Sequence, residues 1–179
     1  MSFLISNHLK EGYSDYNLFF IKHYYKELNL NNKILDVGCG HYRNLYLLYQ
    51  LGFKNLYGID RAIPNPSSKP KRFKVNFINK DVTEGLPCKD KEFDIVLCNY
   101  VLMFVGPEHL SYVVQELLRV TKSFCIIETN KPFNEAKNSE FKLYKFKDII
   151  KCIETNTEFE IVDKKMYKEK FILRRKRNA

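Results

Sequence analysis

Three carboxylates and a pair of glycines are the residues of this chain that can do chemistry together. The stretch ILDVGCGHYRN, residues 34–44, sets Gly38 and Gly40 one residue apart behind an apolar run, with Asp36 just ahead of them. Glycines so placed after a strand let backbone approach a nucleotide-like ligand. Asp60 closes a second apolar run and Asp81 a third. At three adjacent strand ends, Asp36 is placed to attract an ammonium group at the mouth of the turn, Asp60 to accept from both hydroxyls of a ribose, and Asp81 to accept from an exocyclic adenine amine. That set suits a ligand with a cationic amine, a sugar diol and an adenine, and no phosphate. A dinucleotide fingerprint needs a third glycine at position 43, where this chain has Arg43. A nicotinamide oxidoreductase is disfavoured on that ground.

Such residues meet only if neighbouring parallel strands bring their carboxyl ends to one edge, and the hydrophobic pattern supplies those strands. KILDVG reads as a strand buried on both faces, RNLYLLYQLG as a helix with Gly52 at its C′ position, and NLYGID as the second strand. Residues 61–72 hold Pro64, Pro66 and Pro70 where a helix is usual, and predict an irregular loop. FKVNFINKD, with Phe73, Val75 and Phe77 alternating, is the third strand, FDIVLCN the central fourth and SFCIIETN the fifth. PEHLSYVVQELLRV and YKFKDIIKCIETN carry helical periodicity. EFEIVD and EKFILRR, too closely spaced for a helical crossover, predict an antiparallel hairpin. Ser14 and Asp15 start a helix in SDYNLFFIKHYYKEL, with Leu18, Ile21 and Leu28 expected on its inner face. The pattern predicts one α/β domain over 1–179: a doubly wound, seven-stranded, mostly parallel sheet with an antiparallel last strand, in three α/β/α layers.

Composition narrows the setting. At 179 residues and 45% hydrophobic, the chain can bury a core without staples. The five cysteines form no C-x-x-C pair and the four histidines have no metal-ligand spacing, so no metal site is expected. No apolar run suits a bilayer and MSFLISNHLK does not read as a secretory signal, so the expected location is the cytoplasm. The net charge of +9 is concentrated at the end, where residues 163–179 carry eight Lys or Arg against two acids. That bias suggests an anionic partner such as nucleic acid.

Together, ILDVGCGHYRN, LYGID, NKDVTEGLPCKDKEFDIV and NYVLMFV resemble the class I S-adenosylmethionine-dependent methyltransferases, from about Lys33 through the last hairpin. The segment LPCKDKEFDIV is especially telling, because small members share its Leu-Pro, polar turn and Phe-Asp opening. The resemblance implies S-adenosylmethionine as cofactor and S-adenosylhomocysteine as product. It places Asp36, Gly38, Cys39 and Gly40 around the methionine, Asp60 at the ribose, Asp81 and Val82 at the adenine, and Arg43 and Arg61 among the cofactor-binding residues. Asn99 and Tyr100 would lie by the methionine amine, and Tyr13 and Tyr16 in a helical lid formed by residues 1–30. Two departures stand out: Tyr42 where the family has a third small residue, and the proline-rich loop where it has a helix. Tyr42 is expected to crowd the methionine side or to turn outward toward substrate.

An activated methyl donor needs mainly in-line positioning of the acceptor, and a base is optional. His41, Tyr100, His109 and Glu128 are the candidates for one. NYVLMF after the fourth strand lacks the Asp/Asn-Pro-Pro-aromatic motif of base-amino methyltransferases, and no Pro-Cys follows it for cytosine-C5 chemistry. The acceptor is not specified by these residues. Lys164, Lys165 and Lys168, in the turn of the last hairpin, are expected on the cofactor side, where they would steer an anionic substrate or RNA. A partner chain or a second copy is an alternative roof for the site. The rival reading is a subunit that binds the cofactor without turnover.

Overall fold

A computed structural model describes residues 12–64, 70–129, 142, 144–165 and 170–177. Its centre is a seven-stranded sheet in the order β3-β2-β1-β4-β5-β7-β6. The strands are β1 (Lys33–Val37), β2 (Asn55–Asp60), β3 (Asn76–Asn79), β4 (Phe93–Asn99), β5 (Thr121–Glu128), β6 (Phe159–Lys165) and β7 (Lys170–Arg175). Pairings from β3 across to β5 are parallel, and β7 runs antiparallel to both β5 and β6. The doubly wound sheet and its antiparallel last strand match the sequence pattern.

The two-residue period of each central strand feeds two cores. Val96 and Cys98 of β4 pack with Cys125 and Ile127 of β5 under the helices α3 (Pro107–Val120) and α4 (Phe146–Glu154). Ile95 and Leu97, with Phe124 and Ile126, face α1 (Asp15–Tyr24) and α2 (Arg43–Gln50). On α3 the buried residues are Leu110, Val113, Val114, Leu117 and Leu118, as their spacing requires. Arg119 ties this helix to the LPCKD turn, donating to the Leu86 and Cys88 carbonyls at 2.9 and 2.8 Å.

Three elements depart from expectation. In α1 the buried residues are Tyr16, Asn17 and Phe20, while Ile21, and Leu28 beyond the helix, pack only partly buried against the same core and Leu18 does not join it. Rings decide the face: Phe20 and Tyr24 pack on Phe124 with centroids 5.2 and 5.3 Å apart. The third strand is only four residues long and begins after Phe73 and Val75. The fifth begins at Thr121, which also ends α3, so helix and strand adjoin without a loop.

The described part of residues 61–72 is not helical, and an aromatic cluster covers that side of the sheet instead. Phe73 lies edge-on to Tyr42, Tyr46 and Tyr49, at centroid distances of 6.0, 5.4 and 5.3 Å. Tyr42 also meets Phe77 at 6.2 Å. It therefore neither crowds the methionine side nor turns outward, because the left-handed backbone at its φ of 63° aims the ring into this cluster. We predict that Phe73→Ala costs about 3 kcal/mol and lowers the melting midpoint by about 6–12 °C. A thermal scan that showed no change would mean that the cluster adds nothing to the fold.

Candidate functional site

A cavity of about 360 Å³ opens where β1, β2, β3 and β4 end. Its floor is the turn after β1. Gly38 and Cys39 donate their N–H groups to the Ile59 carbonyl at 2.7 and 3.1 Å, which folds the turn back onto β2. Gly38 has φ +71°, and a Cβ there would stand 2.1 Å from Val101 Cγ2. Any side chain would be both strained and blocked, so glycine is required at this approach.

Asp60, at the end of β2, accepts from Gly40 N–H through Oδ2 at 2.8 Å and from Ala62 N–H through Oδ1 at 2.9 Å. A carboxylate has about four acceptor positions, so these bonds orient it while leaving capacity for a ribose diol. Arg61 and Arg43 stand in the same wall. Asp81 and Val82 line the far end with Lys80 and Thr83. Asp81 also caps the short 3-10 turn after it: Oδ1 accepts from Thr83 N–H at 2.9 Å and from Thr83 Oγ1 at 2.8 Å. Those bonds hold its carboxyl below the ordinary value, so it is an acceptor only. Asn99 and Tyr100, at the end of β4, complete the wall, and Tyr100 takes φ 63° while its N–H bonds the Glu128 carbonyl at 2.7 Å.

Asp36 is placed differently from expectation. It is 1% exposed and lies beneath the floor, not at the mouth, and neither carboxylate oxygen has a hydrogen-bond partner. Burial, with the Asp60 charge adding to it, pushes its carboxyl up to about 7. The Asn44 amide and the Arg43 guanidinium pull the other way and offset only part of this. A buried anion offset only in part, by the Asn44 amide and the Arg43 charge, is costly. A cation arriving above the glycine turn is the compensation that this floor lacks, which is how the site fits a ligand with an ammonium group.

Other expected residues fall outside the cavity. Tyr13 and Tyr16 are buried but do not line it, and Tyr16 donates to Asp163 Oδ2 on β6 at 2.6 Å. From this N-terminal segment Gly12 and Ser14 reach the cavity instead. His41 and His109 are exposed and away from the wall, and His109 is 3.8 Å from Glu108. Glu128 is fully buried and ion-paired with Lys170, so it is sealed from any reacting atom. Asn44, Val101, Phe104 and Val105 also line the cavity, and only their position beside the glycine turn and the fourth strand could have pointed to them. Lys168 lies outside the described residues. The β6–β7 register, which sets Lys165 opposite Lys170 and Lys170 opposite Glu128, puts that end of the hairpin on the cavity side.

Asp36 gives a testable sign. Its folded value of about 7 exceeds the ordinary 3.8, so the cost of ionising it is absent below about pH 4 and complete above about pH 7. We expect Asp36→Asn to raise the melting midpoint of the ligand-free protein by roughly 3–10 °C at about pH 8 and to change it little at about pH 4.5. A lower midpoint at the higher pH would show that the charge is compensated in the empty site.

Comparison with known proteins bears on the fold and the family. Over 100 residues the chain is 35% identical to a carboxy-S-adenosyl-L-methionine synthase of Campylobacter concisus. That match covers 51% of this chain and 41% of the synthase, so the chain spans less than half the length of this curated relative. A protein from Pyrococcus horikoshii superposes with a TM-score of 0.68 at 18% identity, over 93% of both chains. The magnesium protoporphyrin IX methyltransferase of Synechocystis PCC 6803, solved with bound SAH, gives 0.65 at 21% identity, over 87% of this chain and 80% of that one. At such identities the superpositions show the fold. Residues 35–127, more than half of the sequence, match the family described as a methyltransferase domain, and the chain belongs to that family.

Proposed function

We propose that the chain binds S-adenosylmethionine in the cavity and transfers its methyl group to an acceptor by direct in-line displacement. The observation that carries this reading is the placement of Asp60, Asp81 and the Gly38–Gly40 turn around one cavity whose floor holds the only partly compensated Asp36. When bound, the cofactor supplies the activated methyl, and S-adenosylhomocysteine is left. The residues of the chain bind and orient it: Asp60 takes the ribose, Asp81 and Val82 the adenine, and the turn the methionine. Of the four candidates for a base, only Tyr100 lines the cavity, and its hydroxyl is 3.3 Å from Glu128 Oε1. On this reading the described residues contribute position and exclusion of water to the transfer. Among the described residues no helix is long and apolar enough to cross a membrane, and a cytoplasmic location is part of this proposal.

The identity to the synthase favours a second reading, in which the cofactor itself is carboxylated. The nucleoside released by denaturing the native protein separates the two by mass spectrometry. S-adenosylhomocysteine supports methyl transfer, and a carboxylated form supports the second.

Calorimetry with S-adenosylhomocysteine tests the site directly. Asp60→Ala should weaken binding by about 100-fold, since two hydrogen bonds to a charged acceptor are lost. Failure of the unaltered protein to bind either ligand at millimolar concentration would overturn the proposal.

An anionic acceptor belongs to the same proposal. Residues 61–80 contain six Lys or Arg and no acid, and Arg61 and Lys80 stand in the cavity wall. The lysine-bearing end of the last hairpin lies on the same side of the sheet. Replacing Lys164, Lys165 and Lys168 with serine should reduce the salt dependence of polyuridylate binding, lowering the log–log slope by about 2. An unchanged slope would remove these lysines from the proposal.

A further inference from the structure

Glu128 cannot be a base, yet four hydrogen-bonding groups converge on it. Ser14 donates its hydroxyl to Oε2, and Asn99 donates Nδ2 to the same oxygen at 2.6 Å. Lys170 and the Tyr100 hydroxyl reach Oε1. The contacts from Ser14 and Asn99 close a cycle. Ser14 N–H donates to Asn44 Oδ1 at 3.0 Å, and Asn44 Nδ2 donates to Asn99 Oδ1 at 3.3 Å. The cycle joins the segment before α1, the first turn of α2, the end of β4 and the end of β5. Asn17 adds a second tie from α1, exchanging amide hydrogen bonds with Asn99 at 3.0 and 3.3 Å.

Three members of the cycle, Ser14, Asn44 and Asn99, line the cavity, while Glu128 is sealed behind them. Lys170 is only 14% exposed and sits 5.3 Å from the centre of the Tyr16 ring, so the pair also packs against α1. A buried acceptor fixes its donors more strictly than an exposed one, because no water replaces it.

We propose that Glu128 is a positioning residue for the cofactor site: held by Lys170, it latches the Gly12–Tyr24 segment and Asn99 at the methionine end, so that cofactor affinity depends on a residue the cofactor never touches. The affinity part rests on the S-adenosylmethionine reading; the latch itself does not. Replacing Glu128 alone would strand the Lys170 charge, so both partners are changed together. Glu128→Leu with Lys170→Met breaks the cycle without leaving a buried charge. Glu128→Gln with Lys170→Met keeps an oxygen for Ser14 and Asn99 and offers an amide to Tyr100.

The measurements are the dissociation constant of S-adenosylhomocysteine by calorimetry and amide hydrogen exchange over residues 14–24. The leucine pair should bind about tenfold more weakly or worse, and lose protection in α1 while the amides of β1 and β4 stay protected. The glutamine pair should restore both. Unaltered affinity and protection in the leucine pair would overturn the proposal. If the unaltered protein does not bind the ligand, the functional reading falls and the exchange pattern alone decides the latch. If the leucine pair does not fold, Ser14→Ala replaces it, and full protection of α1 in that variant would overturn the proposal.

Discussion

The buried carboxylate of Glu128 is the constraint on which the cavity side of this fold depends. A charge with no exposed surface at the end of β5 needs a counter-charge and satisfied lone pairs. The counter-charge arrives because β7 inserts between β5 and β6, which sets Lys170 directly opposite Glu128. The remaining lone pairs recruit Ser14, Asn99 and Tyr100. One antiparallel strand thereby orders the N-terminal helix, the end of β4 and one wall of the cavity. Leaving either partner unpaired would cost about 3–5 kcal/mol, comparable to the whole stability of a marginal domain.

A second constraint acts at the opposite edge of the sheet. Where β2 passes to β3, the helix that would cover the sheet is replaced by rings from α2 and from the segment before β3. Tyr42, Tyr46 and Tyr49 recur at i, i+4 and i+7, so one face of α2 presents three aromatic edges to Phe73. The left-handed conformation of Tyr42 costs on the order of 1 kcal/mol, and the buried ring offsets it. A small residue at 42 would relieve the backbone but open the cluster.

The strands and their doubly wound, mostly parallel sheet are legible because buried parallel strands leave long apolar runs and the glycine turn has a positional meaning. Ten of the residues expected at the cofactor, from Gly38 to Tyr100, do line the cavity. What the sequence could not display were partnerships over long separations. Glu128 looked like a base because an acid after a strand is ambiguous until its neighbour 42 residues later is known. Asn17 and Asn44 are unremarkable amides in sequence, and only the fold shows them meeting across Asn99. Aliphatic spacing marks only part of the inner face of α1, because the Phe20 and Tyr24 rings have the larger apolar area to bury.

The two polar features near the methionine end complement each other. Glu128 is buried and compensated by Lys170 and its hydrogen-bond donors, which makes it a rigid anchor; Asp36 is buried and only partly compensated, which makes it a source of field. Burial leaves an ionised Asp36 little screened from a cation above the floor, and the anchored wall fixes where that cation can sit. The rate advantage such a cavity can offer lies in holding an already reactive group at one place and angle, and the Glu128 anchor and the Asp36 field are the two means by which this chain can do so.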